Sequence, residues 1–159
     1  MPIVKIDIAE MQISNNPNDI LMTQSLGSCV GLALYDPEVK LGALLHYMLP
    51  LSKVNPKMAA RLPFMFADTG VPLFFRKFFD LGGQRVRTQV RIAGASQIMT
   101  PDPNISTGKR NLLILKKMFM KSGIQITSED TGGNENRKLK LEISNGRCTV
   151  DINGVEKEL

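Results

Sequence analysis

A chain of 159 residues with 43% hydrophobic and 22% charged residues has the composition of a globular domain large enough to bury a real core. No apolar run reaches the length of a membrane span, and Asp7 and Glu10 interrupt the stretch where a secretory leader would need to be apolar, so a cytoplasmic protein is expected. Two cysteines without a CxxC pair and a single histidine argue against a disulfide framework, a thioredoxin-type site and a zinc site, so any chemistry is expected to run without metal or cofactor.

In chain order, Val4, Ile6 and Ile8 alternate with polar neighbours and predict a strand; "SNNPND" is loop, and Ile20 to Thr23 form a short strand. Val30, Leu32 and Leu34, then Leu41, Ala43, Leu45 and Tyr47, alternate on either side of "DPEVK" and predict a β-hairpin. Residues 49–66 carry three prolines and read as a long loop with at most a helical turn. A helix capped by Asp68 or Thr69 is expected to run to Gly82–Gly83, with Pro72 tolerated near its first turn. "VRTQVRIAGAS" is a strand entering a small-residue turn, and "TPDPNISTG" is loop. Residues 107–122 form a second helix, capped by Ser106 or Thr107 and ended by Gly123. "IQITSED" is a strand, and "LKLEIS" and "RCTVDI" form a terminal hairpin through an Asn-Gly turn. The class is α+β, with residues 1–159 as a single domain.

The net charge of +5 suggests a partner of negative potential. The basic residues are not clustered with aromatics as in a nucleic-acid surface, and those from Lys109 to Lys121 read as one solvated helix face, so an acidic protein surface is the better expectation. Phe74, Phe75, Phe78 and Phe79 exceed one narrow stripe and read as core or partner surface, and Cys148 reads as a small buried hydrophobe.

Cys29 and His46 stand at the open end of the predicted hairpin. A register centred on Glu38 puts Cys29 within one residue of lying opposite His46, within reach of a thiol–imidazole hydrogen bond. A one-residue offset would send the two side chains to different faces, so irregular backbone is expected at Gly27–Ser28. One reading is a buried thiol and a structural histidine. The other is a nucleophile whose pKa is lowered by a neighbouring imidazolium, with backbone N–H groups near Ser28 and Cys29 holding an acyl-transfer oxyanion.

Thr23, Gly27–Ser28–Cys29, the "YDP" turn and His46 followed by Met48–Leu49–Pro50 resemble the CheD family, the chemoreceptor glutamine deamidases of chemotaxis. "FADTG", "IAGAS", the helix from Arg110 to Gly123 and "EDTGGNENRKL" extend the resemblance over nearly the whole chain. The resemblance implies a sandwich of mixed β-sheets flanked by two principal helices, similar to toxin-type cysteine deamidases. It makes Cys29 the nucleophile, His46 the base and acid, and Thr23 the third member that orients the imidazole. It places Gly27 and Ser28 at the substrate and oxyanion, and implies methyl-accepting chemotaxis receptors and the CheC phosphatase as partners. The implied reaction is hydrolysis of receptor glutamine side chains through a thioester, with a glutamate methylesterase activity open to the same machinery. A proline early in "DTGVPLFF" and the apolar "RLPFMF" depart from the family pattern. The alternative class is a non-enzymatic adaptor that docks on receptors or on a CheC-type phosphatase, with the thiol incidental.

Overall fold

The computed structural model describes residues 2–97 and 106–159. Among the described residues, ten strands form two five-stranded sheets. One has the order β1 (Ile3–Ile6), β3 (Ile20–Thr23), β8 (Lys138–Glu142), β9 (Cys148–Ile152) and β10 (Val155–Glu158). The other has the order β2 (Glu10–Ser14), β5 (Leu41–Tyr47), β4 (Val30–Asp36), β6 (Gln89–Gly94) and β7 (Ser128–Thr131). Both are mixed, because β1 runs parallel to β3 and β6 parallel to β7. The sheets pack face to face over Ile6, Leu21, Ala33, Leu44, Leu139 and Leu141. On the far side of the second sheet, Leu32, Leu45 and Ile92 meet Phe74, Phe78 and Phe119 from helices α2 (Ala67–Asp80) and α3 (Thr107–Ser122). The result is a three-layer sheet–sheet–helix sandwich of the α+β class.

That layering explains the hairpin's composition. Strands β4 and β5 lie in the middle layer and are buried at every residue. The odd face of β4 and the even face of β5 meet the first sheet, which presses closest at Gly31 and Gly42, where little room is left for a side chain. A Cβ on Gly42 would stand 2.5 Å from the Ile143 side chain. Their other faces carry the large aliphatic residues that meet the helices.

Several boundaries differ from the sequence expectation. The first strand ends at Ile6, and Ala9, at φ +65°, turns the chain into β2, which alternation alone did not reveal. The edge strand β10, "VEKE", is exposed throughout and has no apolar alternation to betray it. The segment 49–66 contains α1 (Pro56–Arg61), capped by the Asn55 side chain, and short 3-10 turns on either side. Neither Asp68 nor Thr69 caps α2. Phe66 is its N-cap residue, while Asp68 accepts from the Ser52 N–H and hydroxyl and Thr69 donates to the Pro63 carbonyl. Pro72 lies beyond the first turn, where it leaves the Asp68 carbonyl without its helical donor. Ser106 caps α3 through its hydroxyl, and Gly123 closes it at φ +69°. Most of "TPDPNISTG" lies outside the described residues.

The end of β6 is shaped by its contact with the cysteine loop. Gly94, at φ +106°, lies against the Cys29 carbonyl, 2.3 Å from where a Cβ would stand, and Ala95 follows at φ +56°. Gly94→Ala should therefore force β4 and β6 apart at the cysteine. We expect a loss of roughly 1–3 kcal/mol from backbone strain alone, read as a melting temperature lower by several degrees. A melting curve equal to wild type would mean that this contact relaxes freely.

Candidate active site

Cys29 sits on a tight loop just before β4, and every carbonyl of residues 26–29 accepts a hydrogen bond. The Leu26 carbonyl takes the Cys29 N–H at 2.5 Å, and the Gly27 carbonyl takes the Ser96 N–H at 3.0 Å. The Ser28 carbonyl takes the Asn111 side-chain amide at 2.9 Å, and the Cys29 carbonyl takes the Ala95 N–H at 2.8 Å. The Leu26 N–H in turn donates to the Arg137 carbonyl at 2.8 Å. Gly27 makes the turn at φ +44°, the irregular backbone expected there, with Asn136 packed beside it. Arg137 is itself buried, ion-paired to Asp130 at 3.1 Å and donating to the Gly94 carbonyl at 3.3 Å.

The hairpin register corrects the expected one. Gly31 lies opposite His46 and Val30 opposite Tyr47, so the hairpin is centred half a residue beyond Glu38. Cys29 is then two residues along from the partner of His46, a diagonal neighbour on the same face rather than an offset one on the other. Cys29 packs in the layer between the sheets, and His46 shares the face of Leu44, which packs there too. The correct register removes the conflict that the expected register created.

His46 is fully buried. Its Nδ1 lies 3.3 Å from the Ile6 carbonyl. A carbonyl can only accept, so Nδ1 carries the proton and Nε2 the lone pair. Among the described residues Nε2 has no hydrogen-bond partner. The thiol–imidazole hydrogen bond expected from the sequence is therefore not formed, and Nε2 is left as a free acceptor in the buried layer. The Thr23 hydroxyl, by contrast, accepts from the Leu139 N–H at 3.0 Å. Thr23 meets the imidazole only indirectly: it pairs with Ile6 in the parallel β1–β3 ladder, whose carbonyl holds the ring.

Burial sets the charge state. It pushes the Cys29 thiol up to about 11, against a partial offset from its own backbone N–H. It pushes His46 below the ordinary 6.5, against the Ile6 hydrogen bond and the charges of Asp7 and Glu10. The pair therefore rests as neutral thiol and neutral imidazole, not as the thiolate–imidazolium pair expected from the sequence, because desolvation penalises both charges. Of the two N–H groups proposed for the oxyanion, that of Cys29 is already given to Leu26; among the described residues that of Ser28 has no backbone acceptor.

Sequence reasoning missed two contributors. The Ile6 carbonyl has no signature in a sequence. Asn111 had one: it stands four and eight residues before Leu115 and Phe119, a polar side chain on the buried stripe of α3. Of the phenylalanines, Phe74, Phe75 and Phe78 are core, and Phe79 lines a cleft of about 460 Å³ between α2 and α3. That cleft lies on the helical side of the second sheet, away from the face that carries Cys29 and His46. Cys148 is buried between the sheets and pushed up to about 12.

The neutral resting pair has a measurable consequence. A thiol held near 11 exposes little thiolate at neutral pH, so iodoacetamide labelling of Cys29 in the folded protein should be slow. Its rate should climb about tenfold per pH unit until the pH nears that value, with Cys148 slower still. A fast, pH-independent rate between pH 7 and 8 would reveal a preformed ion pair and overturn this assignment.

Comparison with known proteins gives the context of these residues. The family model described as "CheD chemotactic sensory transduction" matches residues 48–152, a segment that begins two positions after His46. "Probable chemoreceptor glutamine deamidase CheD 1" of Syntrophus aciditrophicus (strain SB) is 44% identical over 151 residues, covering 95% of this chain and 94% of that protein. "Probable chemoreceptor glutamine deamidase CheD" of Solibacter usitatus (strain Ellin6076) is 40% identical over 154 residues, covering 97% and 91%. Its namesake from Clostridium botulinum (strain Eklund 17B / Type B) is 39% identical over 155 residues, covering 96% and 94%. With a family model matched over most of its length and relatives this similar from end to end, the chain belongs to the CheD family.

Proposed function

We propose that this protein is a cysteine amidohydrolase that converts glutamine side chains of chemoreceptors to glutamate with release of ammonia. The observation that carries the chemistry is the bare Nε2 of a buried histidine, fixed through Nδ1, on the face and beside the strand of a cysteine whose backbone is pinned. The relatives' names supply the substrate.

In the reaction, Cys29 Sγ attacks the glutamine Cδ as its proton passes to His46 Nε2. Deprotonation and attack are concerted here, since a free thiolate would have to form against burial. The carbonyl oxygen becomes the oxyanion, for which the Ser28 N–H is the nearest uncommitted backbone donor of the loop. His46 then returns the proton to the amide nitrogen, the C–N bond breaks, ammonia leaves and a thioester remains. Water attacks the thioester with Nε2 as base, giving the glutamate carboxyl and restoring the thiol. An ester carbonyl is an easier acyl donor than an amide, so glutamate methyl esters are substrates for the same steps, with methanol as leaving group.

Thr23 belongs to this site as a positioning residue. Its hydroxyl holds the Leu139 N–H, and its strand neighbour Ile6 supplies the carbonyl that orients the ring.

Receptor cytoplasmic fragment incubated with wild-type protein should release ammonia and gain the mass of amide-to-acid conversion. Cys29→Ala should abolish this while leaving fragment binding and the melting curve close to wild type, and His46→Ala should abolish it with a lower melting temperature, because a fully buried side chain is truncated. Turnover by Cys29→Ala would sink the mechanism, and a wild type that binds without turnover would favour the adaptor reading. Because general acid–base contributions run from about 10²- to 10⁴-fold, loss of the base should be at least a hundredfold effect.

The Thr23 series separates anchoring from contact. Thr23→Ala leaves the buried Leu139 N–H unpaired, worth roughly 1–3 kcal/mol of stability, and should lower both the melting temperature and kcat. Thr23→Ser keeps the acceptor and should restore both. If the alanine variant loses kcat with no loss of stability, Thr23 touches the imidazole directly.

A further inference from the structure

Asn111 is the fifth residue of α3 and is fully buried. Its side-chain amide nitrogen donates both hydrogens, one to the Ser28 carbonyl at 2.9 Å and one to the Met48 carbonyl at 2.8 Å. Ser28 immediately precedes the nucleophile, and Met48 follows the histidine by two residues. The β4–β5 ladder has its last pair at Val30 and Tyr47. One carboxamide thus bridges the two strands just where their own hydrogen bonds stop.

Two observations separate this from ordinary anchoring of a helix. First, α3 is already tied down beside Asn111 without its side chain. The Tyr47 hydroxyl donates to the Asn111 backbone carbonyl at 2.9 Å, and Gly108 packs so closely on the 95–96 turn that a Cβ would stand 2.1 Å from the Ser96 carbonyl. Second, the Asn111 Oδ1 is buried with no hydrogen-bond partner among the described residues. The amide cannot be turned to satisfy it, because both neighbours are carbonyls and only the nitrogen can donate. An apolar residue of the same volume would remove that bare oxygen but leave the Ser28 and Met48 carbonyls without donors, so the carboxamide is kept for the two carbonyls it joins.

We propose that Asn111 is a positioning residue that sets the spacing of Cys29 and His46, by clamping the carbonyl before the thiol to the carbonyl beyond the imidazole. Among the described residues, it alone of the contacts that hold the carbonyls of the 26–29 loop comes from a side chain; the others are backbone N–H groups. It is therefore the pin that a side-chain substitution removes without altering the backbone. The turnover part of the test rests on the deamidase reading, whereas the labelling and exchange parts do not.

The experiment compares wild type, Asn111→Leu, which keeps the volume but gives up both donors, Asn111→Asp, which presents acceptors to two carbonyls, and Val90→Ala, a core truncation on the helical face. All are assayed at a temperature where their melting curves show them folded. We expect both Asn111 variants to lose kcat by roughly 10- to 100-fold with KM within about threefold, the scale of a small misplacement of reacting groups. Val90→Ala should stay within about threefold in both. Cys29 labelling by iodoacetamide should also accelerate at pH 8 in the Asn111 variants, its pH curve moving down from about 11 as the loop loosens. Asn111 variants that match Val90→Ala in kcat, or that label with the wild-type pH curve, overturn the proposal. If wild type releases no ammonia, the deamidase reading fails and the labelling curve alone decides the clamp. Should neither Asn111 variant fold, side-chain amide exchange by NMR in wild type still decides it: two slowly exchanging Asn111 protons support the clamp, and rapid exchange overturns it.

Discussion

The structure around the cysteine depends on backbone carbonyls that have nowhere else to go. Residues 26–29 follow β3 of the first sheet, turn through a left-handed glycine and enter the central strand of the second sheet, with Leu26 and Cys29 buried and Gly27 and Ser28 half-buried. A carbonyl left unpaired there would carry the full penalty of lost hydration, about 1–3 kcal/mol each. Four consecutive carbonyls are instead satisfied by the cysteine's own N–H, the 95–96 turn and Asn111. Cys29 is held in place because the alternative is four bare acceptors. Much of the rest follows: Gly94 must lack a side chain, Ala95 must accept a positive φ, and Gly108 must let α3 come down onto the same turn.

The same interior explains why the site rests uncharged. Two strands buried on both faces give a dry wall on which neither a thiolate nor an imidazolium is favoured. An imidazole that stays neutral to below the ordinary histidine value keeps its lone pair across neutral pH. A thiol held high stays protonated over the same range. The window in which both groups are neutral is therefore wide, bounded below 6.5 by His46 and near 11 by Cys29. The linkage to stability has matching signs. Protonation of His46 is easier in the unfolded chain, so folding weakens as pH falls through its ordinary value. Ionisation of Cys29 is also easier when unfolded, so folding weakens as pH rises toward 11.

Much of this was legible in the sequence, for reasons that can be stated residue by residue. The hairpin, both principal helices and the terminal Asn-Gly hairpin announced themselves by period and by caps. That Cys29 and His46 stand at the open end of one hairpin followed from the turn between them, although a turn centred half a residue further on was needed to put both on one face, and the expected thiol–imidazole hydrogen bond is not formed. Strand β2 was hidden because Ala9 turns at positive φ where no glycine or asparagine marks it. Strand β10 was hidden because a charged edge strand has no buried face to imprint alternation. The cap of α2 was misassigned because Asp68 has a better use, closing the 3-10 turn at Ser52.

What the sequence could not supply were contacts made by atoms common to every residue. The carbonyl of Ile6 orients the imidazole, and any residue at that position would offer the same oxygen. What selects it is placement: β1 runs parallel to β3, and β2 returns along β5 to set Glu10 opposite His46. A resemblance can transfer Thr23 to this chain as a member of the site, but only the ladder shows that its strand partner, rather than its hydroxyl, meets the ring. Threonine suits that task for a reason distinct from acid–base chemistry. Its β-branched shape fits a strand between two others, and its hydroxyl completes the backbone pairing of Leu139 where β3 and β8 part, just past their last pair. The orientation of the imidazole is thereby built from sheet pairing itself, and the β1–β3–β8 register fixes the ring of a residue one sheet away.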